Sequence, residues 1–129
     1  MKVLATANVL VVGIDSLENF DSLPITAKLA ITGLEAISSL KYEDYDAVVS
    51  KWNLADMTGG KFIKGLRLIK PKVPVIAVIE AGDYVQEISA RACGVKAVVS
   101  TEGLMLLKRT LAELLKLPVV EKTVAETAY

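Results

Sequence analysis

Tyr45-Asp46-Ala47-Val48-Val49-Ser50-Lys51-Trp52-Asn53-Leu54-Ala55-Asp56-Met57-Thr58-Gly59 is the stretch whose reading decides the fold. Its apolar run, Ala47 to Val49, has acids upstream and a Gly pair, Gly59-Gly60, downstream. That is the pattern of a buried central strand running out into a loop. In open parallel sheets the loops at the carboxyl ends of the strands carry the chemistry. The residue at that end here is Lys51, so whatever the chain does must be compatible with a cation at that point.

Upstream, Val9-Leu10-Val11-Val12 closed by Gly13 reads as a first strand. Asp15 and Glu18 then have the spacing of a capping box, but Pro24 follows soon after, so a shortened first helix is expected. Ile25 to Ile31 reads as a second strand, and Thr32-Gly33-Leu34-Glu35 as a second capping box. Leu34, Ile37 and Leu40 repeat at helical spacing, giving a helix to about Lys41. Downstream, Phe62, Ile63, Leu66 and Ile69 share one face of a helix over 61–70, which Pro71 and Pro74 stop. Val75 to Ile79 is a strand apolar on both faces. Asp83 with Gln86 caps a helix whose inner face is expected to be Val85, Ile88 and Ala92, ended by Gly94. Val95 to Val99 is the fifth strand. The last helix starts near Thr101-Glu102, shows Leu104, Leu107, Leu111 and Leu114, and is closed by Pro118.

Strand and helix thus alternate along the whole chain, and strands joined by single helices run parallel with right-handed crossovers. The expected architecture is a three-layer, doubly wound α/β sandwich with helices on both faces. Residues 1–117 form one domain in this reading, and 118–129, of mixed charge and no period, a tail or the start of a linker.

Composition narrows the functions. The 129 residues are 53% hydrophobic, with formal net charge zero. A chain of that size buries roughly 65–70% of its unfolded surface, enough for a core without staples. Neutral charge gives no pull toward nucleic acid or an anionic membrane. There is one Cys, Cys93, and no His, which excludes a disulfide framework and any His-based metal or acid–base site. No apolar run reaches the ~18 residues of a membrane span, and residues 1–7 lack the plan of a signal peptide, so a cytoplasmic location is expected.

The order of elements and several local runs resemble the receiver domain of bacterial response regulators, from Asn8 to about Leu117. Val9-Leu10-Val11-Val12 is similar to that family's first strand. Tyr45 to Ser50, then Trp52-Asn53-Leu54 and Gly59, are similar to its third strand and following loop. Lys72-Val73-Pro74-Val75-Ile76 resembles its approach to strand four. Ala92-Cys93-Gly94-Val95 with Val98-Val99 resembles its run into strand five. The resemblance implies a five-stranded parallel sheet in the order 2-1-3-4-5 and a role in two-component, phosphorelay-type signal transduction.

The same resemblance marks where the family's reaction is missing. The two acids that hold a divalent cation after strand one correspond to Gly13 and Ile14, with Asp15 close by. The phosphoacceptor Asp corresponds to Lys51, and the Thr or Ser after strand four to Ile79, followed by Glu80. The Lys and Pro after strand five correspond to Thr101 and Glu102, and the switch aromatic to Val98. An acyl phosphate requires a carboxylate nucleophile, and Mg²⁺ requires hard oxygen ligands. No Mg²⁺, no other cofactor and no catalytic residue are therefore expected. Lys51 has two readings: it pairs with Asp15, Glu80 or both in place of the metal, or it snorkels to water.

Other features have plainer readings. Thr58-Gly59-Gly60-Lys61 lacks the first Gly and the Ser/Thr of a phosphate loop and reads as a loop-to-helix junction. Cys93 reads as a structural thiol and Asp56 as a loop acid without a metal partner. Lys70 and Lys72 read as a solvated corner. Trp52 is either an exposed anchor or a loop residue packed on the first or last helix.

The leading function is therefore a receiver-like interaction module that works without phosphorylation. The resemblance implies a protein partner, or self-association, on the face made by the helix over 83–94, the fifth strand and the last helix. That face offers Tyr84, Gln86, Glu87, Arg91, Lys96, Lys108 and Arg109. No direct nucleic-acid or membrane contact is expected. The alternatives are a phosphorylatable receiver with unusual site residues, and a small-ligand binder on a flavodoxin-like sheet.

Overall fold

Five short apolar runs pair side by side, all parallel, in the order β2-β1-β3-β4-β5. The computed structural model describes residues 7–14 and 23–116. The strands are β1 (Ala7–Val12), β2 (Ile25–Ala30), β3 (Ala47–Lys51), β4 (Val75–Ile79) and β5 (Ala97–Ser100). The helices among the described residues are α1 (Gly33–Tyr42), α2 (Gly59–Ile69), α3 (Tyr84–Ala92) and α4 (Leu104–Leu115). The expected fold class and strand order are those observed. The shortened first helix and the tail over 118–129 fall outside the described residues.

The strand alternation sorts the core into two layers. Leu10, Val12, Val48, Ala77 and Ile79 face α1, α2 and α3, meeting Ala36, Leu40, Phe62, Ile63, Leu66 and Ala90. Val9, Val11, Ala47, Val49, Ile76, Val78 and Val99 face α4, meeting Leu107 and Leu111. β4 lies between β3 and β5, and every one of its residues is buried, as expected for a strand covered on both faces.

The helix starts follow local chemistry. Glu35 N–H donates to Thr32 Oγ1 (3.1 Å), while Glu35 Oε1 reaches back to Ile31 N–H (2.8 Å), one residue beyond the usual box. Thr58 Oγ1 accepts from Lys61 N–H (3.3 Å), so α2 begins at Gly59, two residues before the sequence suggested. Asp83 Oδ1 accepts from Gln86 N–H (3.0 Å) at the start of α3.

Two inner faces differ from expectation. Leu34 is exposed, and α1 instead buries Gly33, Ala36 and Leu40. On α3, Val85, Ile88 and Ala92 point outward, and Ala90 is the buried residue, with Cys93 partly buried beside it. Small side chains let the helix backbone approach the sheet closely, and the two caps fix its rotation, so the bulkier apolar residues fall on the outside.

Candidate functional site

The carboxyl ends of β1 and β3 meet where the strand order reverses, the place at which open α/β sheets bind ligands. The ladder pairs Val12 with Ser50, so Gly13 follows beside Lys51. Gly13 has φ +75°, a left-handed backbone, and its N–H donates to Ala30 O (2.8 Å). A Cβ there would stand 2.7 Å from Leu54 Cδ2 and 3.3 Å from Lys51 Cβ. The left-handed backbone would strain any side chain at position 13, and Leu54 would have to shift to admit it. Leu54 lies over Gly13 at the reversal point.

The remaining strand ends are equally unsuited to a hard cation. Ile14 is half-buried against the α4-side layer. Ile79 is buried in the opposite layer. Lys51, the last residue of β3, is exposed. Glu80 is exposed too, its N–H bound by Gln86 Oε1 (3.0 Å), and half-buried Thr101 donates its N–H to Ile79 O (2.8 Å). Among these described positions there is one carboxylate, Glu80, beside one ammonium. That donor set does not fit octahedral, oxygen-seeking Mg²⁺. No group of three or more metal-binding side chains gathers among the described residues.

The ion pairs among the described residues are Lys28–Glu43, Lys70–Asp44 and Arg91–Glu87, the last at 3.0 Å within α3. Lys51 does not pair with Glu80, so that half of the pairing idea is corrected: the two side chains leave neighbouring strand ends into solvent. Asp15 lies outside the described residues. Lys72 is exposed, but Lys70 is no solvated corner. Asp44, from the connector before β3, holds it, and Lys70 in turn holds the Asp44 carboxyl below its usual range.

The loop behind Lys51 is pinned at three points. Trp52 is buried, only 7% exposed, with Gly59 against its ring, so it is no surface anchor: it lies on the start of α2, in the layer opposite α4. Met57 Sδ sits where a side chain on Gly33 would go. Asp56 Oδ1 and Oδ2 accept from Gly33 N–H (2.8 Å) and Leu34 N–H (3.0 Å), capping α1 from a distant loop. Those two backbone donors hold the Asp56 carboxyl below its ordinary range. The capping role of Asp56 had no local signal, because its partners are more than twenty residues away in sequence. A second network, Lys28 Nζ to Glu43 Oε2 (3.1 Å) and Tyr45 OH to Glu43 Oε1 (2.7 Å), ties β2 to the approach to β3.

On the expected partner face, Tyr84, Arg91, Lys96 and Arg109 are exposed, and Lys108 and Glu87 are half-buried. Glu87 is committed to Arg91 within α3, and Gln86 turns inward to Glu80. What the sequence missed on this face is apolar: Val85, Ile88, Met105 and Leu106 all stand exposed.

Comparison with solved structures returns receiver domains. A response regulator receiver domain from Francisella is 22% identical, with TM-score 0.76, over 86% of this chain and 98% of that one. The receiver domain of a sensor histidine kinase from Pseudomonas aeruginosa, solved with a magnesium ion in its active site cleft, is 19% identical, with TM-score 0.76, over 87% of this chain and 99% of its own. A chemotaxis response regulator of Vibrio cholerae is 21% identical, with TM-score 0.73, over 85% and 99%. No protein-family model and no curated protein matches the sequence. The fold is therefore that of receiver domains, and among the described residues no helix is long and apolar enough to cross a membrane.

Proposed function

We propose that the chain is a cytoplasmic receiver-type module of two-component signal transduction that works without phosphoryl transfer, by protein–protein contact. The observation that carries this reading is Lys51 at the end of the central strand, where receiver chemistry requires a carboxylate. An ammonium cannot form an acyl phosphate, and it repels the divalent cation that would neutralise one. Gly13 adds a second obstacle, since it carries no side chain and its left-handed backbone would strain a metal-binding acid placed there. What the fold still offers is surface, and the face of α3, β5 and α4 is the part we assign to a partner or to self-association.

The test is incubation with acetyl phosphate and Mg²⁺, followed by intact-mass measurement and treatment with hydroxylamine. No phosphate adduct is expected. A hydroxylamine-labile adduct mapped to any Asp would overturn the reading.

A further inference from the structure

Helix α2 carries positive charge that works against its own stability. No Asp or Glu lies between Asp56 and Glu80, while Lys61, Lys64, Arg67, Lys70 and Lys72 all fall in that stretch. The formal net charge of zero thus conceals one basic segment set against an acidic remainder. α1 and α3 follow the helix dipole, with Glu35 and Glu87 in their first turns and Lys41 and Arg91 in their last. α2 has no acid in its first turn and places Lys61 there, at the positive end of the dipole. Lys64, three residues on, adds a like charge on the same side. Arg67 and Lys70 have structural partners: Arg67 Nη1 donates to Val73 O (2.6 Å), and Lys70 pairs with Asp44. Lys61, Lys64 and Lys72 are exposed and belong to none of the ion pairs among the described residues. Asp56, whose carboxyl feels the charge of Lys61, has both oxygens engaged by Gly33 and Leu34 N–H. Leu68, 83% exposed, stands on the same face of α2, two turns after Lys61.

We propose that the outer face of α2, with Lys72 just past its end, docks an acidic amphipathic segment of a partner protein. This surface is separate from the face of α3, β5 and α4 and does not depend on it. Lys61, Lys64 and Leu68 lie within a narrow arc of the helix and span about 10 Å along it. A partner helix with two carboxylates and one apolar side chain at matching spacing meets all three. The carboxylates neutralise the like-charged pair, and the apolar side chain covers Leu68. Two other classes of anion fit less well. Nucleic acid would leave Leu68 in water, and this face offers no aromatic side chain for a base to stack on. A membrane surface is gripped by a broad apolar stripe, whereas Leu68 is a single apolar residue among ammonium groups.

The experiment titrates the full chain, to about 100 µM, against a fluorescein-labelled helical peptide carrying two Glu and one Leu along one side at the spacing of Lys61, Lys64 and Leu68. A short DNA duplex and vesicles of anionic lipid are titrated in parallel. Saturable binding of the peptide is expected, weakening as salt rises from about 50 to about 500 mM. Lys64→Glu and Leu68→Ala should each weaken it by about tenfold or more. Lys116→Glu should leave it unchanged, since Lys116 is exposed at the end of α4, in the opposite layer. Circular dichroism checks that each variant is folded, and its melting curve supplies a second readout. Lys61→Glu should raise the Tm while weakening the peptide, because an acid suits the start of a helix. A lowered Tm would make Lys61 a structural residue and overturn its assignment to a partner. No binding of the peptide overturns the docking surface and leaves the reading of Lys51 standing. Equal or tighter binding of the duplex or the vesicles overturns the acidic protein segment. Binding indifferent to Lys64→Glu and Leu68→Ala, or equally weakened by Lys116→Glu, overturns the choice of face.

Discussion

Gly59 and Gly60 are neighbours at the start of α2, yet the structure predicts opposite outcomes when each is changed to Ala. A Cβ on Gly59 would lie 2.2 Å from Trp52 Cδ2 and 2.4 Å from Cε2. Carbon atoms in contact sit about 3.5–4.0 Å apart, so the indole must retreat by more than about 1 Å. Trp52 is 7% exposed and belongs to the core cluster with Phe62, so it has little space to move into. Overpacking of this kind costs about 1–3 kcal/mol. Replacing Gly in a helix returns about 0.5–1 kcal/mol, leaving a net loss of about 1–2 kcal/mol. A Cβ on Gly60 meets nothing within 4 Å, so only the gain of up to about 0.5–1 kcal/mol remains. The two variants should differ by about 2 kcal/mol, or several degrees in Tm. Urea unfolding followed by fluorescence reads this directly, because Trp52 is the only tryptophan in the chain. Circular dichroism gives the second probe. If Gly59→Ala proves as stable as Gly60→Ala, the indole does not lie on the start of α2, and Trp52 returns as a surface anchor.

A double-mutant cycle of Lys51→Met and Glu80→Gln should show no coupling beyond about 0.3–0.5 kcal/mol, because the two groups do not pair; a larger coupling measured by urea denaturation would refute their separation. Asp56→Asn should speed amide exchange at Gly33 and Leu34, measured by hydrogen exchange and mass spectrometry. Because the folded Asp56 carboxyl is held below its ordinary range, its contribution is complete above that range and fades as pH falls through the folded value. The Asn variant should therefore lose less stability on acidification than the parent, and parallel curves would count against the capping contact. Leu40→Ala should cost about 2–5 kcal/mol, whereas Leu34→Ala should stay within about 0.5 kcal/mol, reversing the equal weight that helical spacing alone gives them.

Much of the fold was readable because the signals are local. Val75 to Ile79 is apolar at every position, and that pattern identifies a strand covered on both faces whatever surrounds it. Thr32 and Asp83 place helix starts through hydrogen bonds that close within three residues. At the site, what was readable was the position of Lys51 at the carboxyl end of the central strand. The site's actual construction was not legible, because Leu54 over Gly13 and Asp56 on α1 join segments distant in sequence.

The sequence by itself determined the alternation of strands and helices and their order along the chain, since periodicity and caps act over a few neighbours. Only the tertiary structure decided which way α3 faces, where Trp52 lies and which cations find partners. Hydropathy ranks the sides of an isolated helix by their greasiness. In the folded chain, the close approach permitted by Ala90 and the rotation fixed by Asp83 and Gln86 outweigh that ranking, and they leave Val85 and Ile88 facing water.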